Sequence, residues 1–298
     1  QFKKKLRFTD NQIKQLNSDY STHTGADMLT GTSAFIKKAT SSSNDGRRKL
    51  FSPQSTKKLL MLLVQFSDMD LRYGQADFTN LMNTAGYNAN GAQGSVRDYF
   101  LETSYKQFDI TTDVKGPYRM PNTHDYYGAD GATKDLNYAE MVTEAVRQAD
   151  AEGVNFKDYD SDNDGVVDGV YVIFAGWSQA HSGIANDLWS KAGSINYTAT
   201  NTASGSTKIK SFSISNELLW ESSDHLGLAT IGVICHEFGH VRGAPDYYDT
   251  NYETDGQYQG TGDWDVMCGG NNNGTTSVLS GNMPAHFNPY TKMMFGWL

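Results

Sequence analysis

The run Cys235-His236-Glu237-Phe238-Gly239-His240-Val241-Arg242-Gly243-Ala244-Pro245-Asp246 constrains this chain more than any other. Two histidines four residues apart on a helix leave the same face, so both imidazoles can meet at one point. The apolar pattern over 226–242 predicts the helix that this geometry needs. Gly243 suits the left-handed turn that ends such a helix, and Pro245 prevents its continuation. The chain then folds back and delivers Asp246 as a third donor. Two imidazoles, a carboxylate and one open position make a catalytic zinc geometry, whereas structural zinc sites are closed. Glu237 sits beside the first ligand, within reach of a metal-bound water and suited to act as its general base. Asp249, three residues on, is a rival to Asp246 for the third position.

A second constellation is Asp158-Tyr159-Asp160-Ser161-Asp162-Asn163-Asp164-Gly165-Val166-Val167-Asp168. Numbered from Asp160, carboxylates fall at loop positions 1, 3, 5 and 9, Gly165 at 6, and the Val166 carbonyl at 7. That reproduces the first nine positions of an EF-hand-type calcium loop. Position 12 is Tyr171, so the usual bidentate glutamate is missing. Crowded carboxylates repel one another without a cation, which favours a structural calcium ion over a bare acidic turn.

Length and composition frame these sites. The 298 residues allow one large or two small domains, and 12% aromatic content is too high for a disordered chain. No apolar run reaches the length of a membrane span. Residues 1–50 carry 10 basic and 4 acidic side chains, whereas the rest carries 15 and 30. The body is therefore strongly acidic, with 26 Asp against 8 Glu overall, which argues against a nucleic-acid partner. Two cysteines, Cys235 and Cys268, exclude a disulfide scaffold and any four-cysteine zinc site. Each flanks the metal motif or its downstream turn, so a disulfide between them stays open beside the alternative of two buried thiols.

The chain divides near residue 57. Residues 1–56 are basic and rich in Ser, Thr, Gly and Lys from 21 onward, with one short helix expected over 8–20. They read as a linker or an inhibitory pro-segment. Residues 57–298 read as one compact domain of α/β (α+β) class. Strands are expected at 59–66, 108–114 and 170–175, and helices at 95–101, 137–152 and 226–242.

Downstream, Gly262-Asp263-Trp264-Asp265-Val266-Met267-Cys268-Gly269-Gly270 places a methionine in a glycine-flanked turn. The zinc motif followed by such a turn resembles the metzincin clan. More narrowly, His-Glu-Phe-Gly-His, then Gly-Ala-Pro-Asp-Tyr-Tyr-Asp and Trp-Asp-Val-Met, resemble the immune inhibitor A family of bacterial secreted metallopeptidases. The resemblance extends to 62–68, 95–100 and 284–298. It implies a twisted mixed sheet with packed helices, His236, His240 and Asp246 as zinc ligands, Glu237 as base, and Met267 as the floor beneath the metal. It further implies secretion and protein or peptide substrates; a monomer is expected. The clan's frequent tyrosine two residues after the methionine is Gly269 here, which leaves the oxyanion-stabilising group open among Tyr248, Tyr290 and His286. A different class, a calcium-stabilised adhesion module with a vestigial zinc site, would have no reason to retain Glu237.

Overall fold

A computed structural model describes residues 57–131, 135–222, 225–250, 260–274 and 280–298. The helix expected over 8–20, and the whole of 1–56, lie outside the described residues.

An apolar run without polar interruption must be covered on both faces, and Lys57–Gln65 (β1) is so covered. It pairs in parallel with Ile110–Arg119 (β2) on one side and Val170–Phe174 (β3) on the other. Lys191–Thr198 (β4) and Lys208–Asn216 (β5) complete a mixed sheet of order β2-β1-β3-β5-β4, in which only β4 runs antiparallel. Seven α-helical segments punctuate the described chain: Gln75–Asn83 (α1), Val96–Thr103 (α2), His124–Tyr127 (α3), Tyr138–Glu152 (α4), Gln179–Ser182 (α5), Ile231–Val241 (α6) and Pro289–Met294 (α7). Leu218–Ser222 (β6) and His225–Leu228 (β7) form a separate antiparallel hairpin.

Strand alternation splits the core in two. Leu59, Met61 and Leu63 of β1, with Tyr171 and Ile173 of β3, pack toward α1, α2 and α6. Leu60, Leu62 and Val64, with Val172 and Phe174, pack toward Met141, Val142, Ala145 and Val146 of α4. No described helix is long and apolar enough to cross a membrane.

Expected boundaries hold at several places for visible reasons. The Ser95 hydroxyl accepts from Asp98 N–H at 3.2 Å and Asp98 Oδ2 accepts from Ser95 N–H at 3.0 Å, a reciprocal cap that starts α2. The helix expected over 226–242 is shorter. Its first residues belong to β7, where Leu218 pairs with Leu228 and Leu219 with Gly227, and α6 begins only after Thr230. The apolar pattern there served a strand before the helix. Strand β2 likewise runs on to Arg119, past the expected end at 114, because its residues keep pairing with β1.

Candidate active site

Helix α6 buries Ile231, Ile234, Cys235 and Phe238 in the core and thereby fixes where its polar side chains emerge. On the facing strand β5, Ser213 Oγ donates to the Glu237 carbonyl at 2.8 Å. Gly243, at φ +95°, takes the left-handed turn, and its N–H bonds the His240 carbonyl at 2.8 Å. The chain reverses and brings Asp246 back.

His236 Nε2, His240 Nε2 and Asp246 Oδ1 form a triangle whose three sides are each 3.2 Å. His236 Nδ1 donates to the Val266 carbonyl at 2.7 Å, and His240 Nδ1 donates to the Ala244 carbonyl at 2.9 Å. A carbonyl only accepts, so each neutral ring keeps its proton on Nδ1 and turns the Nε2 lone pair inward. Asp246 Oδ1 is buried and receives no hydrogen bond. Three lone pairs aimed at one point repel unless a cation lies among them. The spacing suits tetrahedral zinc, whose bonds of about 2.0 Å set ligand atoms about 3.3 Å apart.

The electrostatics agree. Burial favours a neutral Asp246, but the two imidazoles outweigh it and hold the carboxyl well below the carboxylate range. Burial also opposes charge on His240, yet Asp246 raises that imidazole above its ordinary value. Both shifts arise from one carboxylate facing two imidazoles at close range. Glu237 differs: burial pushes its carboxyl up, although His236 and His240 pull the other way. Its Oε2 is buried with no hydrogen-bond partner.

Met267 is fully buried beneath α6. A Cβ added to Gly239 would stand 2.5 Å from Met267 Sδ and 3.0 Å from Phe287 Cε1, so the glycine inside the histidine motif exists for this contact. Asp265, with no exposed surface, shapes the turn: Oδ1 accepts from Met267 N–H at 3.0 Å, and Oδ2 accepts from Asn288 Nδ2 at 2.5 Å. Behind the helix, the Arg242 guanidinium lies 3.9 Å from the Phe108 ring centre and 4.8 Å from that of Phe295. Cys235 and Cys268 are both buried and are not joined in a disulfide.

His236 and Glu237 open onto a cleft of about 850 Å³. Of the three residues considered for an oxyanion role, Tyr248 lines it. Tyr290 is exposed, and His286 lies 3.4 Å from Glu102 Oε1 and 3.4 Å from Lys292 Nζ. The donor group gathers Asp246 and does not include Asp249.

In the acidic loop, ligand-type oxygens of Asp160, Asp162 and Asp164 lie within 4.8 Å of one another. Burial, and then the charge of Asp164, raise the Asp162 carboxyl. Asp168 stands apart from this group, with Oδ2 bonded to the Ser161 hydroxyl and main-chain N–H. Val166 donates its N–H to Asp164 Oδ1 at 2.8 Å. Tyr171, at position 12, is a core residue of β3 bonded to Ser215 Oγ at 3.0 Å.

Sequence reading missed the orienting groups Val266, Ala244 and Ser213, and the role of Gly239. Carbonyl partners carry no sequence signal. A glycine in a helix interior does, since it costs about 1 kcal/mol relative to alanine unless packing requires it.

A family model described as the immune inhibitor A peptidase M6 catalytic domain matches residues 48–298. The pre-pro-metalloprotease PrtV of Vibrio cholerae serotype O1 (strain M66-2) is 26% identical over 278 residues, covering 80% of this chain and 29% of that protein. Immune inhibitor A of Bacillus thuringiensis subsp. alesti is 27% identical over 227 residues, covering 67% of this chain and 31% of that protein. The chain thus spans under a third of the length of these relatives.

Proposed function

Because this chain belongs to the immune inhibitor A family of M6 peptidases, we propose that it is a secreted zinc-dependent endopeptidase that hydrolyses peptide bonds in proteins. One observation carries the reading: His236, His240 and Asp246 converge at 3.2 Å beside the buried, unpartnered Oε2 of Glu237. Zinc held by His236, His240 and Asp246 would supply a Lewis acid and would lower the pKa of a bound water toward neutrality. Glu237, its affinity for a proton raised by burial, would take the proton of the nucleophilic water and return it to the leaving amine. Asp246 contributes the charge that offsets part of the metal's, and the Nδ1 bonds hold both imidazoles in the ligating tautomer. Met267 supports α6 from below.

In the same reading, Asp160, Asp162 and Asp164 hold a structural calcium ion, with the Val166 carbonyl and, on leaving Ser161, Asp168 completing its ligands. The mutual crowding of the three carboxylates supports this. Residues 1–56 are read as a basic N-terminal segment, a pro-segment or a linker, ahead of the catalytic domain at 57–298. The enzyme acts as a monomer on protein or peptide substrates.

The test is casein digestion by the full chain with and without phenanthroline, alongside zinc analysis of protein purified without added metal. About one zinc per chain and chelator-sensitive digestion are expected. Digestion by Glu237→Ala at a rate comparable to wild type would overturn the assignment of the base.

A further inference from the structure

Gly269 and Asp263 line the same cleft as His236 and Glu237. A Cβ on Gly269 would stand 2.8 Å from Asp263 Oδ1, so the missing side chain at 269 is what lets this carboxylate rest against the wall. Asp263 is exposed; its main-chain carbonyl accepts from Asn273 Nδ2 at 2.8 Å, while no hydrogen bond or ion pair engages its carboxylate among the described residues. Elsewhere in this domain exposed carboxylates find work, as Asp77 does in capping α1 or Asp70 in pairing with Arg119. Among the described residues, Asp263 has no such structural task.

The charges around it are one-sided. Among the described residues, no Lys or Arg lines the cleft. Glu237 and Asp263 are its acidic side chains, and Glu237 is buried whereas Asp263 is exposed. Its surroundings in the cleft, Gly262, Gly269, Asn271 and Asn272, are small or uncharged and leave room for a long side chain. One isolated carboxylate is a poor cage for a divalent ion, which needs several oxygens, but it is the natural partner of a single ammonium or guanidinium.

We infer that Asp263 is a specificity-determining residue that pairs with a Lys or Arg side chain of the bound polypeptide near the scissile bond. The inference rests on the peptidase reading above. It makes substrates carrying a basic residue at one fixed position relative to the cut the favoured class.

The experiment profiles cleavage sites of the full chain on a mixed peptide library by mass spectrometry, for wild type, Asp263→Asn and Asp263→Lys. Basic residues should be enriched at one position in wild type, lose that enrichment in Asp263→Asn, and give way to Asp or Glu in Asp263→Lys. For a matched pair of peptides differing by Lys or Gln at that position, Asp263→Asn should remove a preference of about fivefold in kcat/KM, the upper range for an exposed ion pair. Rates on the Gln peptide should change by less than about twofold. A wild-type profile without basic enrichment, or an enrichment that survives in Asp263→Asn, overturns the inference and leaves the peptidase reading intact. A parallel measurement does not depend on hydrolysis. The Glu237→Ala protein should bind a fluorescent Lys-containing peptide about fivefold more tightly than its Gln counterpart, and Glu237→Ala/Asp263→Asn should bind both alike. Equal binding by Glu237→Ala would overturn the inference even if the wild-type chain cut nothing.

Discussion

The two donor clusters of this domain are held by opposite means. At α6 both imidazoles are oriented by something outside the cluster: Val266 holds one, Ala244 the other, and Ser213 fixes the helix backbone between them. In the acidic loop the carboxylates are oriented by the loop itself. Asp160 accepts from the N–H groups of Asp164 at 3.0 Å and Gly165 at 2.9 Å, and Asp164 from that of Val166 at 2.8 Å. A cluster positioned from outside keeps its shape whether or not an ion is bound, and can hold one coordination place open for chemistry. A cluster positioned by its own backbone suits a hard cation that accepts variable geometry. On the proposed reading, the difference separates a site for reaction from a site for cohesion.

The sharpest break would come at Glu237. Glu237→Ala should lose at least about 10³-fold in kcat on a protein substrate while still binding zinc, because the three donors are untouched. His240→Ala should lose both zinc and activity. Activity and metal content measured on the same preparations separate the two roles, and loss of zinc from Glu237→Ala would contradict them.

Next in size is the packing that supports the reactive cluster. Gly239→Val should lower stability by about 2 to 3 kcal/mol, since its side chain must displace Met267 and Phe287 from a filled core. Zinc affinity should fall with it. Urea denaturation of the zinc-loaded and chelated forms would read both effects. An unchanged transition would mean that Met267 does not press on the helix.

The acidic loop should respond to a different ion. Millimolar calcium should raise the melting temperature, by an amount equivalent to about 2.7 kcal/mol at a hundredfold excess over Kd. Asp162→Asn with Asp164→Asn should abolish the rise, and phenanthroline should leave it in place. A melting temperature that stays constant from excess chelator to millimolar calcium would end the calcium assignment.

Asp150 provides the control, a carboxylate satisfied entirely by protein donors. Burial favours its neutral form, but hydrogen bonds from Thr200, Tyr197 and Asn201 bring its carboxyl below the ordinary value. A depressed folded-state pKa contributes stability above the unfolded value of about 3.9 that is lost as pH falls through the folded one. Asp150→Asn should therefore cost about 1 to 2 kcal/mol at pH 7, and the gap to wild type should close as the pH drops below 4. Calcium should not affect it. A gap that persists unchanged in acid would assign the loss to shape, not to charge.

The donors of the reactive cluster were legible in the sequence because a helix repeats with a fixed period. His236 and His240 must share a face, and Gly243 with Pro245 leaves the chain little choice but to turn back. What orients those donors was not legible. Val266 and Ala244 act through carbonyls, which every residue carries, and Ser213 lies on β5, a strand whose serines and lysines dilute its apolar alternation. The same dilution hid β4 and β5, whereas β1 and β3 announced themselves as continuous apolar runs. The start of α6 was misplaced because Leu226 and Leu228 fit a helical stripe and a strand alternation equally well over so short a span. The loop motif grouped Asp160, Asp162 and Asp164, whose carboxylates lie together, while Asp168 at its ninth position accepts from the Ser161 hydroxyl.

The alternation along β1 also sets where this protein can change. Odd-numbered side chains of the strand answer to the layer that carries the histidines, and even-numbered ones to the layer under α4. The sheet acts as a bulkhead between two compartments with separate tolerances. Volume can be exchanged among Leu62, Val142, Val146 and Ile214 by drift or by redesign without displacing an imidazole, so stabilising variants are best sought behind the sheet. Variants sought for altered cleavage belong in front of it, where a shift at Met61 or Ile173 is passed through the packed layer toward α6.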